Sequence, residues 1–188
     1  WERNPVLVQE FYNMRRKSVL EAKPNAAHLA LAQLEEKYEV TIITQNIDDL
    51  HERAGSSNIA HLHGVITKSQ SSKNPNLIYD IKGWEIKMGE VCELGSQLRP
   101  HVVWFGEPVP MIETAAKISS QADIFLIVGT SLAVYPAAGL IDFVPYPAEK
   151  ILIDPKIPSA YSRDKFRAVA EKAGVGVPMV VKELLTRV

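Results

Sequence analysis

The stretch DIFLIVGTSLAVYPA, residues 123–137, carries five apolar residues, Ile124 to Val128, into Gly129, Thr130 and Ser131, and resumes a helical pattern after Pro136. A short apolar run without polar alternation reads as a strand buried on both faces, as in a parallel sheet covered by helices. The same alternation recurs on either side. Upstream lie VTII (40–43), HVVWF (101–105) and a helix near 111–121; downstream lies KILID (150–154). Toward the N-terminus, Asn4 and Pro5 fit an N-cap and a first-turn proline, and Val6, Leu7, Phe11, Met14 and Leu20 form an apolar stripe of helical spacing. Pro24 and Asn25 restart the pattern with Ala27, Leu29, Leu31, Leu34 and Tyr38. The fold class that follows is α/β: a Rossmann-like parallel sheet with helices on both faces.

Between Gly64 and Leu98 the periodicity gives way to Ser, Lys, Asn and Gly. Residues 64–98 are therefore expected to form a small inserted module, packed through Leu77, Tyr79, Ile81 and Trp84, which leaves 1–63 and 99–188 to the Rossmann-like domain. FRAVA (166–170) reads as either an edge strand or a helix, and Val177 to Leu185 as a helix that follows a break at GVGVP.

Composition narrows the function classes. A net charge of -1 across 188 residues lacks the basic excess that phosphate-backbone binding needs, so no nucleic-acid partner is expected. One cysteine, Cys92, excludes an intrachain disulfide, and no apolar run reaches the length of a membrane span. A reducing compartment fits: the cytoplasm, with a mitochondrial location left open because the chain opens on Trp1 and a preceding stretch is expected. No membrane association is anticipated, and the working state is taken as a monomer.

In a doubly wound sheet, ligands bind beyond the carboxyl ends of the strands. Three such ends carry polar groups. Gly129, Thr130 and Ser131 could meet phosphate or ribose oxygens, or simply form a turn and cap. Asp154 could accept from a ribose, or close an Asx-turn ahead of Pro155. TQNIDDLHERAG (44–55) opens a strand into Gln45, Asn46 and Asp48. In AHLHGVI (60–66), strand alternation would put His61 and His63 on one face, with His63 nearest the glycine and the strand end.

Taken in order, TQNIDDLHERAG, HLHG, VVWFGE, GTS and a polar strand end resemble the sirtuin family, the NAD-dependent protein-lysine deacylases, from about residue 4 to 188. The resemblance implies a reaction in which an acyl-lysine carbonyl oxygen attacks the nicotinamide ribose, releasing nicotinamide and then 2′-O-acyl-ADP-ribose. It makes His63 the general base, and an imidazole suits that task because it is mostly neutral near pH 7. Gln45 and Asn46, with Ile47 between them and Asp48, would hold the ribose and its water, Asn46 sharing in catalysis, and Asp48 would bind the nicotinamide carboxamide. Gly129, Thr130, Ser131 and Asp154 would take the phosphates and adenosine ribose, with Lys172 and Ala173 near the adenine. An acyl-lysine protein or peptide would lie as an added strand against Val103, Phe105, Gly106, Glu107 and Val134.

Tyr12 and Arg15, three apart on a helix, share a face, and a phenol beside a guanidinium can hold a carboxylate. This pair resembles the sirtuin branch that removes succinyl and malonyl groups; Arg16 is expected to point elsewhere. The rival expectations are a plain deacetylase, an ADP-ribosyl-transferring relative, or an inactive binder of acyl-peptide or nucleotide. Two features depart from the family. A single cysteine cannot supply its structural zinc site, so no metal is expected. The family's Gly-Ala-Gly segment is not among these 188 residues.

Overall fold

The computed structural model describes residues 1–130, 135–157 and 166–187. The chain divides into two compact units: Trp1–Lys23, Thr44–Leu50 and His63–Pro108 form the first, and Pro24–Ile43, His51–Leu62 and Val109–Val188 the second. Residues 64–98 thus share a unit with the N-terminal helix and with 99–108.

In the first unit, α1 (Pro5–Glu21) begins as its sequence suggests, with Pro5 in the first turn and the Asn4 side chain accepting from Leu7 N–H at 3.0 Å. Its apolar stripe is not its buried face. Val6, Leu7, Phe11, Met14 and Leu20 are all exposed, whereas Gln9, Asn13 and Arg16 are buried. The reason is backbone demand. The irregular chain around residues 84–86 has few ladder partners of its own, and buried backbone groups must be paired. Asn13 donates to Ile86 O and accepts from Ile86 N–H, both at 3.0 Å, and Gln9 Nε2 donates to Ile86 O at 3.2 Å and Leu98 O at 3.3 Å. Arg16 donates to Ile66 O at 2.6 Å, Asn13 Oδ1 at 2.7 Å and Trp84 O at 2.8 Å. Arg16 therefore does point away from Arg15, but into the protein, with its side chain wholly buried.

Strand β3 (Gly64–Ser71) pairs antiparallel with β4 (Ile78–Asp80) on one side and β5 (Leu98–Val102) on the other. This corrects the reading of 101–105 as a strand of the parallel sheet. The strand runs from 98 to 102 and is antiparallel, and the chain then turns at Trp104–Glu107, where Gly106 has a φ of +90° and Glu107 N–H bonds Trp104 O at 3.0 Å. The apolar centre here is Ile66, Ile86, Cys92 and Val102; Leu77, Tyr79 and Ile81 are half-buried and Trp84 is exposed, so the expected packing set is also corrected.

The second unit holds the parallel sheet, β6 (Ile124–Val128), β7 (Glu149–Ile153) and β8 (Arg167–Val169), in the order β6-β7-β8. FRAVA is thus an edge strand. In central β7, Ile151, Leu152 and Ile153 are fully buried, as the unbroken apolar run required. Helices α2 (Ala26–Leu34) and α5 (Ala173–Leu185) contribute Ala27, Ala30 and Leu34, and Val177, Val180, Val181 and Leu184, to the same core. Asn25 and His28 form the capping box that starts α2. GVGVP is not a break; α5 runs through it from Ala173. At Gly176 a Cβ would stand 2.5 Å from Ile153 Cγ2, so the missing side chain lets helix and strand approach. Pro178 removes only the N–H that would meet the Gly174 carbonyl. A smaller cluster of Leu62, Ala115, Ala137 and Leu140 joins α4 (Ile112–Ser119) to a 3-10 helix, Ala137–Phe143. Short strands β1 (Ile42–Thr44) and β2 (Ile59–His61) pair with each other, and α3 (Leu50–Ala54) lies between them in sequence. The whole is the α/β, Rossmann-like arrangement anticipated.

Candidate active site

After β1 the chain leaves the sheet and turns. Thr44 Oγ1 accepts from Asn46 N–H at 3.0 Å, and Asp48 Oδ1 accepts from Leu50 N–H at 3.1 Å, which leads into α3. The loop so shaped lines a cavity of about 280 Å³ with Gln45, Asn46, Ile47 and Asp48, closed by Arg15 and Val19 of α1 and by Ile66 of β3. That volume suits part of a ligand, a ring or an acyl chain, and not a whole dinucleotide. Ile66 N–H donates to Ile47 O at 2.7 Å, and the carbonyl of the same Ile66 accepts from Arg16, so α1, β3 and the loop are joined through backbone. Burial pulls the Arg16 guanidinium down to about 10.

His63 follows β2 in a two-residue turn, and its Nδ1 lies 3.0 Å from the carbonyl oxygen of Gln45. A carbonyl only accepts, so Nδ1 carries the proton and in the neutral ring Nε2 keeps its lone pair. Gly64, with φ +78°, follows because a Cβ there would lie 2.2 Å from His101 O. The His63 carbonyl accepts from Val103 N–H at 3.0 Å, which ties His63 to the end of β5. His61, by contrast, pairs with Glu52 at 2.6 Å. The two histidines thus have separate partners, because the chain turns between them instead of continuing as one strand.

In the turn after β5, Phe105 is fully exposed and Gly106 is exposed beside it, while both carboxylate oxygens of Glu107 are taken by Arg99 at 2.6 and 2.9 Å. The Glu107 side chain holds the turn.

The second unit presents a different set of strand ends. Gly129, with φ +57°, donates its N–H to Ile153 O at 3.0 Å beyond β6. Asp154 does form the Asx-turn, Oδ1 accepting from Lys156 N–H at 2.7 Å. Lys172 is the exposed N-cap of α5 and Ala173 its first residue. Thr130 is the last residue described before the gap in the description; Ser131 and Val134 lie outside the described residues.

The sequence pattern of the Sir2 family matches residues 1–136. An NAD-dependent protein deacylase of Bacteroides thetaiotaomicron is 52% identical over 190 residues, spanning 98% of this chain and 81% of that protein. The chain belongs to the Sir2 family. A solved complex of a Sir2 homolog with NAD matches at a TM-score of 0.89 and 34% identity, covering 99% of this chain and 74% of that one. A Sir2 protein bound to a myristoylated histone peptide matches at 0.76 and 32%, covering 99% and 82%.

In this Sir2 chain the first unit gathers Arg15, Gln45, Asn46, Ile47 and Asp48 around one cavity, with His63 bonded to its rim. Tyr12 does not line the cavity; its hydroxyl accepts from Trp104 Nε1 at 2.9 Å. Two lining residues escaped the sequence reading. Val19, one helical turn beyond Arg15, was legible from spacing alone; Ile66 was not, because only its bond to Ile47 brings it there.

Proposed function

We propose that this Sir2 chain is an NAD-dependent protein-lysine deacylase that prefers acyl groups ending in a carboxylate. The observation that carries the proposal is the single cavity that sets the Arg15 guanidinium among Gln45, Asn46 and Asp48. The side chains there fit NAD: two amides that both donate and accept suit ribose hydroxyls and a water, and a carboxylate suits the N–H groups of a carboxamide. When bound, NAD supplies an electrophilic ribose carbon with nicotinamide as its leaving group. His63 Nε2 takes the proton from a ribose hydroxyl, and the Gln45 carbonyl keeps the ring in the tautomer that can do so. In the second unit, Gly129, Thr130, Asp154 and the α5 start at Lys172 and Ala173 offer groups suited to phosphate and ribose oxygens. Arg15 forks onto a succinyl or malonyl carboxylate, a contact that an acetyl group cannot make. The relatives' complexes with NAD and with an acyl-peptide support the reaction class.

No structural zinc belongs to this proposal, since Cys92 is the one cysteine and a tetrahedral site needs several thiolate or imidazole ligands. The test is nicotinamide release from NAD with succinyl-, malonyl- and acetyl-lysine versions of one peptide. Higher kcat/KM on the acidic acyl groups supports the proposal; equal or higher values on acetyl would make the chain a plain deacetylase, and release without loss of the acyl group would make it an ADP-ribosyl transferase.

A further inference from the structure

The indole of Trp104 is held from several sides within the first unit. The Arg99 guanidinium lies over its ring, 3.7 Å from the centre, and both Glu107 carboxylate oxygens clamp that guanidinium. The Trp104 backbone N–H also donates to Glu107 Oε2 at 2.8 Å, and the Trp1 ring stands 5.7 Å away, centre to centre. Burial pushes the Glu107 carboxyl up, but the Arg99 hydrogen bond, the Trp104 N–H and the Arg99 charge outweigh it and hold the group ionised below its usual range. The guanidinium is therefore a fixed partner for the ring.

So placed, the indole Nε1–H reaches the Tyr12 hydroxyl at 2.9 Å. An indole N–H can only donate, so the phenol oxygen must accept, and the phenol's own proton is not used in that bond. Tyr12 lies three residues before Arg15 on α1, a spacing that puts the two on one helical face. We propose that Trp104 is a positioning residue for acyl selectivity: it occupies one acceptor site on the Tyr12 oxygen and fixes the phenol as a donor beside Arg15, so that the pair favours an acyl carboxylate. This rests on the acidic-acyl reading above and adds a residue that acts through Tyr12. The chain of contacts is Glu107 to Arg99 to Trp104 to Tyr12, and a phenylalanine at 104 would keep the stack while deleting the donor.

The test uses fluorescein-labelled peptides carrying succinyl- or acetyl-lysine, with affinity read by anisotropy for the chain as it stands, for Trp104→Phe, for Tyr12→Phe and for the double variant. Trp104→Phe is expected to weaken the succinyl peptide by about tenfold, the loss of one charge-supporting hydrogen bond, and the acetyl peptide by less than about twofold. In the Tyr12→Phe background it should add almost nothing, because the bond is already gone. Equal weakening of both peptides, or losses that multiply fully in the double variant, would overturn the inference. If Trp104→Phe fails to fold, benzothienylalanine at 104, which keeps the bicyclic shape and lacks the N–H, gives the same readout. Should the unmodified chain bind both peptides equally, the acidic-acyl reading and this inference fall together; a succinyl preference that Trp104→Phe leaves untouched sinks this inference alone.

Discussion

His63 shows how one hydrogen bond fixes a tautomer, and the role proposed for it rests on that. With Nδ1–H donated to Gln45 O at 3.0 Å, the ring can rotate little and its free lone pair is on Nε2. His63→Ala should therefore lower turnover by about 10²–10⁴, the usual worth of a positioned base, while acyl-peptide affinity stays within about twofold; unchanged kcat would remove it from the chemistry. Arg15 is the next residue to test, since among the described residues lining the cavity it is the one cation. Arg15→Met should reduce kcat/KM on succinyl-lysine by about 10²-fold, consistent with a lost charged fork of ~3 kcal/mol, and on acetyl-lysine by far less. Parallel progress curves on the two peptides decide it, and equal losses would mark Arg15 as structural. The positions of these residues, beyond a strand end and on a helix face, were legible in the sequence because strand ends and helix spacing are local. The pairing of Glu107 with Arg99 was not legible, because Arg99 lies eight residues away across a turn that no periodicity announces.

At the scale of elements, α1 is instructive. Its apolar stripe implied one buried face, yet the helix buries Gln9, Asn13 and Arg16, at spacings of four and three. Hydrophobic spacing identifies a helix correctly, but which face is covered depends on what packs there, and here the neighbour is backbone in need of partners. Asn13→Leu should orphan the Ile86 N–H and remove one of the two side-chain bonds to Ile86 O, destabilising the chain by about 1–3 kcal/mol, measured by urea unfolding. A loss under about 1 kcal/mol would mean that water replaces the side chain. In the second unit, α5 is fastened to the sheet by charge as well as by apolar packing. Glu183 pairs with Arg167 of β8 and with Arg187, and Arg187 pairs in turn with Glu149 of β7. The Arg167 hydrogen bond first, then that of Arg187, holds the Glu183 carboxyl down to about 2. Because the folded value is depressed, the stabilisation is complete above the ordinary glutamate value of ~4.3 and is lost as pH falls from there toward about 2. Glu183→Gln should flatten that stretch of a Tm-against-pH curve and leave it unchanged in shape above pH ~6; identical curves would show the exposed network to contribute nothing.

For the molecule as a whole, the expectation that no structural zinc is held rests on a single thiol, Cys92. Treatment with a strong chelator should leave the Tm unchanged to within about 1 °C, since there is no thiolate cage to empty; a fall of many degrees would reveal a metal held by other ligands. The α/β class, the parallel strands β6 and β7 and the polar loop after β1 were all determined by sequence alone, because continuous apolar runs, strand-end polarity and capping residues act over a few neighbours. Tertiary structure decided the rest. It turned 98–102 into an antiparallel strand, carried α5 through GVGVP by fitting Gly176 against Ile153, buried the polar side of α1, and bonded Trp104 to Tyr12, 92 residues apart. Each of these depends on a partner distant in the chain, whose unpaired backbone groups or free space no local pattern can display.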